Sequence, residues 1–202
     1  MLTFAYTHNI LVIADSVYQH NVYKPDEFPF VSCRSVLKDE NASGRLLGLE
    51  LISLNSVSKS MYGECSRRGG YIQHENIDAE VIKKTLDIIS FGCTNTDGMI
   101  VVDAMVNPPK EGSESYPLWK KEYSDIFNAL KRKAEMVAAE ISNWNGISFC
   151  TPTGAMFIFP RLHLSEKAIE AAKAVGKRPD QYYCDSLIEK TGIITLPGYM
   201  FG

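Results

Sequence analysis

The stretch LELISLNSVSKSMYGECSRRGGYI, residues 49–72, decides how this chain is read. Residues 49–54 form a short, largely apolar run, Leu49, Leu51, Ile52 and Leu54, the pattern of a strand buried in an α/β sheet. Lys59 follows that run between Ser58 and Ser60, so it leaves the strand's carboxyl end, where ligands of open α/β sheets collect. A lysine so placed either anchors an anion or does chemistry. After it come Arg67 and Arg68, then Gly69 and Gly70, and Tyr71 and Ile72 start a third strand.

Upstream, residues 10–14 (ILVIA) repeat the buried-strand pattern and end at Asp15. Between the two runs, KPDEFPF and DENASG punctuate a short apolar segment at Val36 and Leu37, which reads as a crossover of loops with a brief helix. Asp15 and Lys59 therefore belong to two strand ends facing one crevice.

Downstream the period becomes helical. Asp78 caps a helix running to about Ile89, with Val81, Ile82, Leu86 and Ile89 on one face and Lys83, Lys84 and Asp87 on the solvated one. The break NPPKEGSES at 107–115 precedes a long amphipathic helix carrying Tyr116, Trp119, Tyr123, Phe127, Leu130, Ala134, Val137 and Ile141. Residues 147–150 and 156–159 read as two strands joined by TPTGA, helices start at Ser165 and Pro179, and the apolar run 193–196 reads as a last strand. This order places a domain boundary near residue 110.

Composition bounds the function. The 202 residues are 45% hydrophobic, 22% charged and 10% aromatic, enough apolar material for a sizeable core. A net charge of -3 without a dense basic run gives no electrostatic reason to expect nucleic acid or an anionic membrane surface. Small molecules and proteins are the expected partners. Five widely spread cysteines suggest neither a disulfide framework nor a zinc site, and His8, His20, His74 and His163 share no ligand spacing, so no metal is expected. The chain reads as soluble and untargeted, with a reducing, cytoplasmic address and a mitochondrial one left open for a full-length protein.

A lysine amine forms a Schiff base with an aldehyde, and pyridoxal phosphate is the cofactor that exploits this, given an acidic partner for its pyridine nitrogen. Asp15 is placed to be that partner, by a charge-assisted hydrogen bond of roughly 1.5 to 3 kcal/mol. Tyr18 reaches for the phenolic oxygen, and Ser56, Ser58 and an arginine suit a phosphate, with glycines allowing close backbone approach. Singly, each residue has a plainer explanation: a turn aspartate, a surface lysine, a basic hairpin. The joined strand ends do not by themselves separate pyridoxal phosphate from another phosphate ligand.

The sequence as a whole resembles a known family. ADSVYQHNVY (14–23) resembles the ADEVYQENVY segment of alanine aminotransferases, and SVSKSMYGECSRRGGY (56–71) their S-x-S-K-G-Y-M-G-E-C-G-x-R-G-G-Y segment. AMVNPP, NGISFCTPTGAMFIFPR and TGIITLPGYMFG resemble VVNPP, PGISCNPVQGAMYSFPR and TGICVVPGSGFG, so the resemblance covers nearly the whole chain. It implies α/β architecture of the fold type I, aspartate-aminotransferase-like class. Residues 1–109 would be the C-terminal part of the cofactor-binding large domain. Residues 110–202 would be the interdomain helix and most of a truncated α+β small domain.

The resemblance further implies a homodimer using pyridoxal 5'-phosphate to exchange an amino group between L-alanine with 2-oxoglutarate and pyruvate with L-glutamate. By position, Lys59 is the catalytic, cofactor-linked lysine, while Asp15, Tyr18, Ser56, Ser58 and Arg68 bind the cofactor; Arg68 is chosen over Arg67 because it directly precedes Gly69 and Gly70. Ser16 replaces the family's glutamate, Ser60 its glycine, and CTNTDG stands in place of CPPVSG, the second and third being changes that bear on loops near the cofactor or the dimer seam. Full-length members have upstream strands, a glycine-rich phosphate turn and a downstream carboxylate-binding arginine that this sequence lacks, so a fragment of an aminotransferase is expected. The alternatives are a non-catalytic piece that binds cofactor or a partner chain, or a racemase or lyase of the same fold.

Overall fold

The structure is a computed structural model that describes residues 1–90, 92 and 94–202; Cys93, one of the five cysteines and the first residue of CTNTDG, lies outside the described residues. The chain separates into two compact units, one of Met1–Met136 with Pro152–Phe157 and one of Val137–Thr151 with Ile158–Gly202.

The first unit opens with a short helix, α1 (Leu2–Thr7), and the strand β1 (Val12–Asp15). Ser32 caps α2 (Cys33–Ala42) by accepting from the Ser35 amide, and the strand β2 (Leu51–Ser56) follows. The strand β3 (Gly70–Glu75), α3 (Ala79–Ile89), α4 (Thr96–Val106) and the long α5 (Tyr116–Ile141) complete the order up to residue 141. β1 and β2 run parallel around the α2 crossover, and β3 adds antiparallel to β2, giving a sheet in the order β1-β2-β3.

The core lies on one face of this sheet. Leu2 and Ala5 of α1, Leu37 of α2, Val12, Leu51, Leu46 and Leu49 form one buried cluster, with Ala14, Cys33 and Val36 packed against it. Across the pleat the other face is uncovered: Ile13 is 61% and Ile72 49% exposed. The continuous run at 10–14 predicts burial on both faces, but among the described residues helices cover only one. α3 has the expected start, with Asp78 accepting from the Glu80 and Val81 amides, yet its apolar residues Val81, Leu86, Ile88 and Ile89 are also exposed.

The second unit holds a two-residue ladder and two helices. β4 (Ile147–Ser148) pairs antiparallel with β5 (Arg161–Leu162), and α6 (Glu166–Ala174) and α7 (Pro179–Thr191) begin at the expected Ser165 and Pro179. Three sequence expectations are corrected. Residues 156–159 form no strand; the strand falls at Arg161, because residues 153–155 are committed to hydrogen bonds with residues 21–23. Residues 193–196 form no strand either, since among the described residues no neighbouring strand offers them a partner. α1 and α4 lie where no helix was expected.

Candidate functional site

Two strand ends build the site. The parallel register sets Asp15 opposite Leu54, and the Ser16 amide donates to the Leu54 carbonyl at 2.9 Å, so the turn after β1 starts beside the last residues of β2. Asp15 Oδ1 accepts from the Val17 amide at 3.1 Å, an Asx-type turn that brings Tyr18 round near the strand end. Tyr18 is half-buried, its ring edge-on to Phe157 with centroids 5.5 Å apart. Burial, and then the Asp15 carboxylate, raise its phenol above the ordinary value, so Tyr18 keeps its proton at neutral pH and can donate a hydrogen bond.

β2 delivers the other groups. Val57, fully buried, pins the chain as it leaves the sheet: its amide donates to the Gly69 carbonyl and its carbonyl accepts from the Glu64 amide. Ser56 Oγ accepts from the Ser58 amide at 3.3 Å, which keeps the two serines on one tight turn. Lys59 comes next, exposed, held through its carbonyl by the Gly63 amide at 3.3 Å. The next residue, Ser60, is buried and left-handed at φ 64°.

The loop closes at two glycines. Gly70 pairs with Ser56, and a Cβ there would stand 2.7 Å from the Asn55 carbonyl oxygen and 3.2 Å from Ser56 Cβ. Only glycine allows this approach, which sets the Arg68 backbone against the end of β2. Arg68 is itself left-handed at φ 53°, and its guanidinium donates to the Cys65 carbonyl at 2.8 Å.

The structure thus sets Asp15 and Tyr18 at one strand end and Ser56, Ser58 and Lys59 at the other, with Arg68 on the same loop two residues before Gly70, the partner of Ser56. No hydrogen bond or ion pair among the described residues joins Lys59 to Asp15, Tyr18, Ser56 or Arg68. The loop thus carries two hydroxyls and a guanidinium, donor types that suit an anion with several oxygens, with the guanidinium turned to the Cys65 carbonyl.

Other residues shape the site without having been singled out. Asn21 is fully buried, its amide nitrogen donating to Met61 Sδ at 3.4 Å while Oδ1 has no partner. The Asn21 carbonyl accepts from the Ala155 amide, and Tyr23 donates its hydroxyl to the Ala155 carbonyl, which ties residues 153–155 to residues 21–23. Asn55 donates to the Tyr71 hydroxyl at 3.2 Å and fixes the β2–β3 register beside Ser56. Asn95, Asp97 and Gly98 pack against Arg67 and Arg68; an asparagine two residues before an aspartate was a legible helix start.

Comparison with known proteins completes the picture. The chain is 41% identical over 204 residues to a probable mitochondrial alanine aminotransferase of Dictyostelium discoideum, and 37% identical over 203 residues to glutamate–glyoxylate aminotransferase 1 of Arabidopsis thaliana. All of this chain is covered in both, but only 38% and 42% of those proteins, so the chain spans about two fifths of their length. Among solved structures, the alanine aminotransferase from Pyrococcus furiosus superposes with a TM-score of 0.73 at 23% identity, over 100% of this chain and 44% of that one. The fold is therefore that of the fold type I aminotransferases, represented by part of its large domain. Residues 1–202 match the family "Aminotransferase class I and II", and this chain, with its lysine turn at the end of β2, belongs to that family.

Proposed function

We propose that this chain carries the lysine-bearing part of an alanine aminotransferase, which moves an amino group between L-alanine and 2-oxoglutarate to give pyruvate and L-glutamate with the help of pyridoxal 5'-phosphate. The observation that carries this reading is the adjacency of the ends of β1 and β2, with an acid and a phenol on one and a lysine with two serines on the other. The names of the relatives, alanine and glutamate–glyoxylate aminotransferases, support the substrate class.

The residues present fit the cofactor. Ser56, Ser58 and Arg68 would hold its phosphate, Asp15 its pyridine nitrogen, Tyr18 its phenolic oxygen and Lys59 its aldehyde carbon. When bound, the cofactor supplies an electron sink for the charge left at the substrate Cα. Asp15 keeps a proton on the ring nitrogen. Tyr18, held protonated by burial and by Asp15, donates a hydrogen bond. Lys59 Nζ, exposed at its turn, takes the proton from the Cα of the amino acid.

Within this reading residues 1–109 belong to the large domain, residues 110–202 to the interdomain helix and small domain, and the assembled enzyme is a homodimer acting on small amino and keto acids. No described helix is long and apolar enough to cross a membrane, and the Dictyostelium relative is named as mitochondrial. A second reading, a non-catalytic piece that binds cofactor or a partner chain, is favoured by the uncovered sheet face at Ile13 and Ile72.

Incubation of the chain with pyridoxal phosphate, borohydride reduction and mass spectrometry of the labelled peptide test the reading. Label on Lys59 is expected; label scattered over surface lysines removes the site. Pyruvate formation from alanine and 2-oxoglutarate then separates the active from the non-catalytic reading, and racemised alanine or a cleaved side chain would point to the racemase or lyase chemistries.

A further inference from the structure

The segment that carries Arg67 and Arg68 is gripped by the first turn of α4. Asn95 makes two bonds there: Oδ1 accepts from the Asp97 amide at 3.1 Å, capping the helix, and Nδ2 donates to the Arg67 carbonyl at 2.8 Å. Asp97 receives Arg67 Nη1 at 3.1 Å. Gly98 completes the grip by backbone contact: a Cβ there would meet the Arg67 carbonyl oxygen at 2.6 Å and the Arg68 carbonyl oxygen at 3.1 Å. From the other side, a Cβ on Gly69 would meet the Gly98 carbonyl oxygen at 2.5 Å.

The two arginines are left in different electrical states. Arg67 faces two carboxylates, Asp97 at 3.1 Å and Glu64 at 3.8 Å, so its charge is compensated inside the loop. Arg68 donates only to the neutral Cys65 carbonyl and has no acidic partner among the described residues. Its left-handed backbone, φ 53°, is one that a residue with a side chain keeps only when its surroundings impose it. The α4 turn supplies that constraint at the carbonyls on either side of the Arg68 nitrogen and Cα. The family motif CPPVSG carries proline where Asn95 stands, and proline offers no side-chain donor for Arg67.

We propose that Asn95 and Asp97 are positioning residues that hold the Arg67 carbonyl and guanidinium against α4 and lock Arg68 in its left-handed conformation, and so set the chain's preference for a phosphate-bearing ligand. This rests on the reading of Arg68 as a phosphate ligand. The clamp acts on the phosphate alone, so its loss weakens pyridoxal phosphate without touching pyridoxal, which has the same ring and aldehyde.

The test is the ratio of the dissociation constants of pyridoxal and pyridoxal phosphate, read from the absorbance of the chain-bound chromophore. In Arg68→Ala the ratio should fall about tenfold, as expected for one lost hydrogen bond to a charged group. Asn95→Ser keeps a hydroxyl cap on α4 but cannot reach Arg67; it and Asp97→Ala should lower the ratio about threefold to tenfold with pyridoxal affinity unchanged. Added to Arg68→Ala, Asn95→Ser should cause no further fall. Arg67→Gln, which leaves the α4 cap intact, changes the local charge in the sense opposite to Asp97→Ala, so a fall in both reports the lost clamp, whereas a fall in Arg67→Gln with a rise in Asp97→Ala reports charge alone and overturns the positioning role. A ratio that falls in Arg68→Ala but is unchanged in the clamp variants overturns the positioning role and leaves the phosphate assignment standing. A ratio unchanged in Arg68→Ala, or a wild-type chain without preference for the phosphate, overturns both.

Discussion

Ser56 and Gly70 face each other across the antiparallel pair of β2 and β3, at a spacing that leaves no room for a side chain on residue 70. Gly70→Ala places a methyl group 2.7 Å from the Asn55 carbonyl oxygen, a rigid backbone atom. The expected cost is about 1–3 kcal/mol, typical of overpacking, with the denaturant midpoint lowered and its slope unchanged. A variant as stable as the wild type would show that β3 can shift away from Asn55 at no cost.

Lys59 is exposed and its side chain has no hydrogen bond or ion pair among the described residues. Lys59→Ala should therefore leave stability within about 0.5 kcal/mol. The same change should abolish the borohydride-fixed label and lower any amino transfer by roughly a hundredfold to ten-thousandfold. Thermal unfolding and peptide mapping together check this; a large loss of stability would mean that the lysine supports the fold.

Ser60 holds φ 64° where the family motif has glycine. Its hydroxyl gains only a long 3.9 Å contact to Met61 Sδ, so little offsets the left-handed backbone. Ser60→Gly should stabilise the chain by about 1 kcal/mol, measured by urea unfolding. Destabilisation would show that the buried hydroxyl contributes more than its geometry suggests.

Asp180, in the first turn of α7, accepts from the amides of Tyr199 at 2.8 Å and Gln181 at 3.0 Å, while Arg178 lies over the Tyr199 ring. Partial burial pushes its carboxyl up, but the amides of Tyr199 and Gln181 and the charge of Arg178 together outweigh this and hold it below the usual carboxylate range. Because the folded value is the lower one, the stabilisation is complete above the unfolded value of about 4 and fades as pH falls through the folded value. Stability measured from pH 6 to pH 2 should fall less steeply in Asp180→Ala than in the wild type. Equal slopes would remove Asp180 from the acid response.

What the sequence disclosed depended on how local each signal was. Residues 10–14 and 49–54 carry their strands in short apolar runs, continuous in the first and interrupted by Glu50 and Ser53 in the second, and Asp15, Ser56 and Lys59 follow because they lie at or just beyond the ends of those runs. α5 announced itself by period. α4 showed only its cap, Asn95, and not its period, because Met99–Val102 is apolar without a break and gives no contrast between faces; a helix and a strand look alike in such a run. Residues 156–159 were misread as a strand for a different reason: the residues just before them, 153–155, pair with residues 21–23, far away in the sequence, and nothing in TPTGA names those partners. The clamp on Arg67 was hidden in the same way, since Asn95 and Arg67 meet only after the chain has turned through β3 and α3.

The registers of β2 with β3 and of β1 with β2 also set an order of events in folding. Pairing Ser56 with Gly70 closes a short loop, whereas pairing Val12 with Leu51 closes one more than twice as long, at an extra entropic cost of about 1 kcal/mol. The β2–β3 pair therefore forms first, and with it the loop holding Ser58, Lys59 and Arg68; Asp15 and Tyr18 join when β1 docks. Mutations at Leu54 or Ile72 should slow folding, while those at Val12 should mainly speed unfolding, a difference that refolding kinetics in urea resolve. A polypeptide emerging from the ribosome amino end first would make β1 before β2, yet hold it unpaired until the lysine loop has closed.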